Sequence, residues 1–168
     1  ISLTKKQCRF DYRDSIFKKN NFIILEVHFK LSRFPSLALE VQMKEILKQR
    51  RAKNYWEGKS PGSFFKNVLV ENISGESLKL IPKEKIIQGK IPAGFLLESV
   101  GAKGLRVGGV EGSQNHANLL VNTDDGKASD FINLASILTK KIKDKYGITL
   151  EPEVQIVDID TLIRLRAN

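Results

Sequence analysis

Cysteine and histidine are almost missing from this sequence: 168 residues hold one cysteine, Cys8, and two histidines, His28 and His116. That excludes a disulfide framework and a Cys/His zinc site, and it fits a reducing compartment. No apolar run approaches the roughly 18 to 20 residues of a membrane-spanning helix, and no charged-then-apolar leader opens the chain. The expectation is a soluble, cytoplasmic protein with no membrane partner and no metal. Internal repeats and low-complexity segments are also lacking. The chain starts at Ile1 rather than methionine, and its first 20 residues carry Lys5, Lys6, Arg9, Arg13, Lys18 and Lys19 with little apolar periodicity. This reads as a piece whose upstream part is missing.

What is present is enough for one domain of roughly 150 residues, with 41% hydrophobic residues to fill a core. A fold of this size buries about 70% of the surface its unfolded chain exposes. Lys and Arg number 28 against 19 Asp and Glu, a net charge of +9. Such an excess suits nucleic acid, an anionic membrane surface or a phosphorylated small molecule, and charge alone does not choose among them.

Residues 22–31 (FIILEVHFKL) alternate and are rich in β-branched and aromatic side chains, which predicts a strand. Ser36, after Pro35, is the candidate N-cap of a helix carrying Leu37, Leu39, Val41, Met43, Ile46 and Leu47 and running toward Lys53. Its cationic tail, Lys48 to Lys53, suits the helix dipole as well as it suits an anion. GKSPG at 58–62 is turn material. Residues 63–70 read as a strand, 71–90 as a loop with at most one short element, and 92–100 as a short helix stopped by Gly101. Residues 105–110 and 118–122 read as two short strands. Ser129 and Asp130 open the clearest helix, with Phe131, Leu134, Ala135, Leu138 and Ile142 as its buried stripe and Tyr146-Gly147 as its end. A last strand at 148–157 is interrupted by Pro152 and so belongs at an edge or a bulge. Strands and helices mix without βαβ alternation, which makes the fold class α+β: a small mixed sheet with packed helices.

Two phosphate motifs fail. Gly58-Lys59-Ser60 would need a glycine where Lys53 stands, and the glycines at 104–109 lack the spacing and context of a dinucleotide fingerprint. Three clusters are harder to dismiss, although each alone is more often a cap, a turn or a solvated edge. Tyr12-Arg13-Asp14-Ser15 offers an arginine able to clamp a carboxylate. Residues 61–67 (PGSFFKN) put Ser63, Phe65 and Asn67 on one strand face. Residues 150–154 (LEPEV) press a carboxylate into an apolar strand.

Taken in order, CRFDYRDSIFK, PGSFFKN, AGFLLESVGAKGLRVGG, HANLLVN and DKYGITLEPEV resemble one family, the UDP-N-acetylenolpyruvoylglucosamine reductases (MurB), from about Cys8 to Val157. The resemblance implies that residues 1–34 end a flavin-binding domain, that 35–158 form the C-terminal substrate-binding domain, and that 159–168 are a tail. It implies a flavin oxidoreductase of peptidoglycan precursor synthesis, in which NADPH reduces FAD and FAD reduces the enolpyruvyl ether of UDP-N-acetylglucosamine enolpyruvate. The part that holds most of the FAD would be missing, and it becomes a partner in its own right.

By matching position, Arg13 would hold and polarise the substrate carboxylate, Ser63 would deliver the proton, and Glu153 would complete the polar cluster. Lys53, Asn67 and His116 would contact substrate, and Tyr12 the cofactor. Val68 departs from the family's usual proline, residues 78–90 are unusual, and the short connection to Ser63 implies the subclass without a tyrosine-bearing substrate loop. The alternative is a non-catalytic basic module for a sugar nucleotide or nucleic acid, with Tyr55, Trp56, Phe64 and Phe65 stacking bases beside Arg50, Arg51 and Lys53, unless those aromatics are core.

Overall fold

A computed structural model describes residues 1–20, 22–52 and 58–157. The chain divides into two compact units, Ile1–Ala52 and Lys53–Asn168, and the fold is α+β, as expected.

In the first unit, Asp11 and Asp14 exchange backbone hydrogen bonds at 3.0 and 3.2 Å, and Tyr12 and Arg13 form the turn between them. Arg13 has φ of 56°, at the position where a type II turn demands a positive value and glycine is the usual occupant. Helix α1 (Ile16–Lys19) follows, and the Phe17 ring lies 6.4 Å from Phe10 and 6.3 Å from Phe22. The strand expected at 22–31 does not form. A strand is held by its ladder, and this unit offers no second strand among the described residues. Ile23 and Leu25 are 85% and 92% exposed. Helix α2 (Ser36–Ala52) does form, but its cap lies one residue earlier than expected, because the Pro35 carbonyl accepts the first helical bond, from Leu39, at 3.3 Å. Its six apolar positions are exposed, so chain propensity rather than burial holds it in this unit.

The second unit is built on strand β1 (Val68–Leu69), helix α3 (Gly75–Lys79), strand β2 (Lys90–Ile91), helix α4 (Ala93–Glu98), strands β3 (Arg106–Val107), β4 (Val110–Gly112) and β5 (Leu120–Asn122), and helix α5 (Ala128–Tyr146). Strands β3, β4 and β5 form one antiparallel sheet in sequence order, and β1 pairs with β2 in another. Helix α5 turns Leu134, Ala135, Leu138, Ile142 and Tyr146 inward, the apolar stripe at helical spacing that a helix needs to cover a sheet. They join Leu96, Leu97, Val110, Leu120 and Phe65 in a single core. The helix starts where the Asp130 carboxylate accepts from the Lys127 amide at 3.0 Å, and it ends at Gly147, whose φ of 68° is left-handed.

Three expectations change here. Residues 71–90 are ordered: Ser74 caps α3 by accepting from the Ser77 amide at 3.1 Å, and Gln88-Gly89, both with positive φ, turn the chain between Ile87 and Lys90. These are capping and turn signals, invisible to a search for apolar period. Residues 105–110 are no single strand but the hairpin of β3 and β4, turned at Gly108 and Gly109. Residues 148–157 contribute only one bridge, Phe65 to Pro152. Proline has no N–H to extend a ladder, so the pairing stops after two flanking bonds, from the Lys66 amide to the Glu151 carbonyl at 2.9 Å and from the Glu153 amide to the Phe64 carbonyl at 2.8 Å.

Candidate functional site

Those two bonds fix one side of the segment 63–67, and the other side is fixed by residues 118 and 119. Ser63 bridges Leu119, and the Phe64 amide donates to the Asn118 carbonyl at 2.8 Å. The Asn118 side chain then takes over the ladder. Its Oδ1 accepts from the Phe65 amide and its Nδ2 donates to the Phe65 carbonyl, each at 2.9 Å. Asn118 is 3% exposed, so both bonds are made away from water and both backbone groups depend on it. Phe64 and Phe65 are buried, with ring centroids 5.0 Å apart.

This braced segment forms a wall of a cleft of about 440 Å³, within the range of small-molecule sites. Ser63 and Asn67 line it from the segment, Gly94, Phe95 and Glu98 from α4, and Lys85 from the turn after α3, with Lys103 and residues 115–118 completing the lining. Asn67 also anchors α4, because its Oδ1 accepts from the Ala93 amide at 3.0 Å. Lys103 pairs with Glu98 at 2.6 Å, and the Lys85 ammonium sits 5.7 Å from the centre of the Phe95 ring. The cleft therefore carries two ammonium groups against one carboxylate, a lining that favours an anionic ligand.

His116 stands in the same wall. Its Nδ1 accepts from the Asn118 amide at 3.2 Å. Burial pulls its pKa below the ordinary 6.5, Lys103 pulls the same way, and a backbone hydrogen bond and Glu98 oppose them. The balance favours the neutral ring.

Of the residues singled out from sequence, Ser63, Asn67 and His116 line this cleft. Glu153 is half-buried, and its amide bonds the carbonyl next to Ser63. Arg13 and Tyr12 occupy the turn in the unit Ile1–Ala52. Lys53, Tyr55, Trp56 and the tail at 159–168 lie outside the described residues. Phe64 and Phe65, considered as stacking platforms for nucleic acid, belong to the core instead. Sequence reasoning passed over Lys85, Glu98, Lys103 and Asn118. Lys103 was within reach, since it follows Gly101 at the end of a predicted helix inside a quoted motif. Asn118 was not, because an asparagine that substitutes for a strand looks like a loop residue.

Among the described residues no group of His, Cys, Asp and Glu is arranged to hold a metal ion, and no helix is long and apolar enough to cross a membrane. A flavin's diphosphate finds no fit at the glycines of 104–109. They turn a hairpin rather than open a helix, and the Asp130 carboxylate already accepts from the Gly109 amide at 3.4 Å.

Comparison with known proteins gives a consistent result. The profile of UDP-N-acetylenolpyruvoylglucosamine reductase, C-terminal domain, matches residues 53–157. UDP-N-acetylenolpyruvoylglucosamine reductase of Solibacter usitatus is 37% identical over 152 residues, covering 90% of this chain and 49% of that protein. UDP-N-acetylenolpyruvoylglucosamine reductase 2 of Bacillus cereus is 35% identical over 159 residues, covering 95% of this chain and 46% of the relative. The crystal structure of the reductase (MurB) from Thermus caldophilus superposes with a TM-score of 0.52 at 26% identity, over 77% of this chain and 38% of that one. The chain thus spans about half the length of the curated relatives it matches.

Proposed function

The chain belongs to the family of UDP-N-acetylenolpyruvoylglucosamine reductase C-terminal domains, and from that premise we propose that it is the substrate-binding portion of such a reductase. The whole enzyme would be a NADPH-dependent flavin oxidoreductase that reduces UDP-N-acetylglucosamine enolpyruvate in the cytoplasm. In this reading residues 1–34 close the flavin-binding domain and 35–158 are the substrate domain.

The observation that carries the reading is the cleft, where a hydroxyl (Ser63), a carboxamide (Asn67), a neutral imidazole (His116) and two ammonium groups (Lys85 and Lys103) line one space. A nucleoside diphosphate sugar brings phosphates for the cations and hydroxyl or carbonyl oxygens for the neutral donors. Ser63 is the proton donor to the carbon next to the carboxylate once negative charge develops there. A serine hydroxyl is a weak acid, so the transfer needs that charge and a fixed geometry, and the bonds on both sides of residues 63–65 supply the second. Arg13 holds the carboxylate in this reading, Glu153 completes the polar cluster, and Lys53 is a further contact to substrate. FAD and the hydride it passes on are assigned chiefly to the flavin-binding part of the whole enzyme, with Tyr12 as a contact to the cofactor.

The test is a calorimetric titration of the chain with UDP-N-acetylglucosamine enolpyruvate, alone and with the flavin-binding half of a relative supplied in trans. Saturable binding that weakens with added salt is expected in both arms. Absence of binding in both, with salt-sensitive capture of a single-stranded oligonucleotide instead, overturns the proposal in favour of a basic binding module.

A further inference from the structure

We propose that Glu98 decides which anions the cleft accepts: it holds Lys103 while the cleft is empty and gives it up most readily to a ligand whose own hydroxyl or amide groups take over the carboxylate. The ligand class rests on the sugar-nucleotide reading above; the exchange of partners at Lys103 does not.

The pair is built by the end of α4. The Gly101 amide donates to the Glu98 carbonyl and the Ala102 amide to the Leu97 carbonyl, each at 3.1 Å, and Gly101 is left-handed with φ of 74°. This double closure, with Leu97 and Ala102 both in the core, is the Schellman form of helix ending. It turns the chain back on itself, so Lys103 arrives beside Glu98 and its ammonium lies 2.6 Å from the carboxylate. Both side chains line the cleft.

Stability does not account for that carboxylate. In the last turn of a helix a negative charge meets the free carbonyl ends, where a cation is favoured, yet Glu98 is the last residue of α4. Its side chain is 60% exposed and that of Lys103 33%, and a pair so open to water adds little to folding. What the pair does change is the cleft. Lys103 meets an incoming anion with a carboxylate already bound, whereas the Lys85 ammonium lies over the Phe95 ring, 5.7 Å from its centre.

Binding at Lys103 is then an exchange. An anion that reaches the ammonium displaces Glu98, and the freed carboxylate, which only accepts hydrogen bonds, stands against a like charge. A bare phosphate offers it nothing in return. A phosphate that carries a sugar brings hydroxyl and amide N–H donors beside its negative oxygens, and one of these replaces the ammonium. Glu98 thus weakens bare anions and spares sugar-bearing ones, a preference set by a repulsive element as much as by attraction, which a lining of cations alone would lack.

The test is calorimetric titration of the full chain with inorganic pyrophosphate and with UDP-N-acetylglucosamine, at one pH and one ionic strength. Glu98→Gln keeps the shape of the side chain and removes its charge. It should bind pyrophosphate about two- to fivefold more tightly, the worth of one exposed ion pair, and UDP-N-acetylglucosamine no more tightly, so the preference for the sugar nucleotide narrows by that factor. Glu76→Gln, which removes the same charge from an exposed pair with Lys79 away from the cleft lining, should move neither. In a Lys103→Gln background the gain for pyrophosphate should shrink by more than half, because Glu98 then has no ammonium to withhold. Pyrophosphate binding that is unchanged or weaker in Glu98→Gln, an equal gain for both probes, or a gain kept with Lys103 replaced overturns the proposal, as does absence of pyrophosphate binding by wild type and variant alike. The urea midpoint of Glu98→Gln should match the wild type; a clear fall, the mark of a structural pair, overturns the proposal too. UDP-N-acetylglucosamine bound no more tightly than pyrophosphate by the wild type counts against the sugar-nucleotide reading, while the pyrophosphate comparison still decides the exchange at Lys103.

Discussion

Asn118 and Phe65 bond each other twice, carboxamide to peptide, at 2.9 Å in each direction. One side chain thereby does the work of a neighbouring strand at the point where the chain carrying Ser63 crosses the core. Asn118→Leu leaves a buried N–H and a buried C=O without partners. Each such group costs roughly 1–3 kcal/mol, so a loss of about 3 kcal/mol in urea unfolding is expected. A loss below about 1 kcal/mol would mean that the Phe65 groups find other partners.

Gly112 and Gly75 separate two reasons for glycine. A methyl at Gly112 would stand within 1.9 Å of the Ala102 carbonyl oxygen, whereas one at Gly75 meets nothing within 4 Å. Both gain helix or strand propensity on paper, but only one has room. Gly112→Ala should lower stability by at least the roughly 1–3 kcal/mol of an overpacked core, and Gly75→Ala should be neutral or slightly stabilising. Equal urea midpoints for the two variants would contradict this packing.

The depressed titration of His116 has a sign that can be checked. Below 6.5 the unfolded chain takes up a proton that the folded ring still refuses, so the unfolded state binds more protons and stability falls as pH drops. The His116 contribution is fully present above 6.5 and is lost as pH falls through the lower folded value. Urea unfolding at a series of pH values from 7.5 to about 4.5 should show this slope in the wild type and a smaller one in His116→Gln. Identical slopes would place the ring in ordinary solvent.

Ser63 makes the kinetic prediction. In an enzyme completed with a flavin-binding half, Ser63→Ala should leave reduction of the flavin by NADPH unchanged and slow its reoxidation by substrate by about 10²–10⁴-fold, the usual worth of a placed acid. Stopped-flow absorbance separates the two steps. Unchanged reoxidation would remove Ser63 from the chemistry.

Legibility in the sequence followed the reach of the forces involved. Helix α5 was readable because its apolar period, its acidic start and its terminal glycine all act within a few residues. The order of motifs carried the family, and with it Ser63, Asn67 and His116. The strand expected at 22–31 was a misreading of a different kind: its alternation is real, but a strand needs a partner that the local pattern cannot supply. Residues 71–90 failed for the opposite reason, since a serine cap and a two-residue turn order a segment that has no period at all. Asn118 was hidden because its role is defined by Phe65, 53 residues away.

The unit Ile1–Ala52 carries Ile23, Leu25, Phe29 and the apolar positions of α2 open to water, together with 12 of the 28 lysines and arginines and only 5 of the 19 acids. Oily and cationic side chains interleaved on one short stretch behave like a surfactant. The chain purified by itself should therefore self-associate as it is concentrated, and added salt, by muting the mutual repulsion of the cations, should bring the onset to lower protein concentration in sedimentation velocity runs.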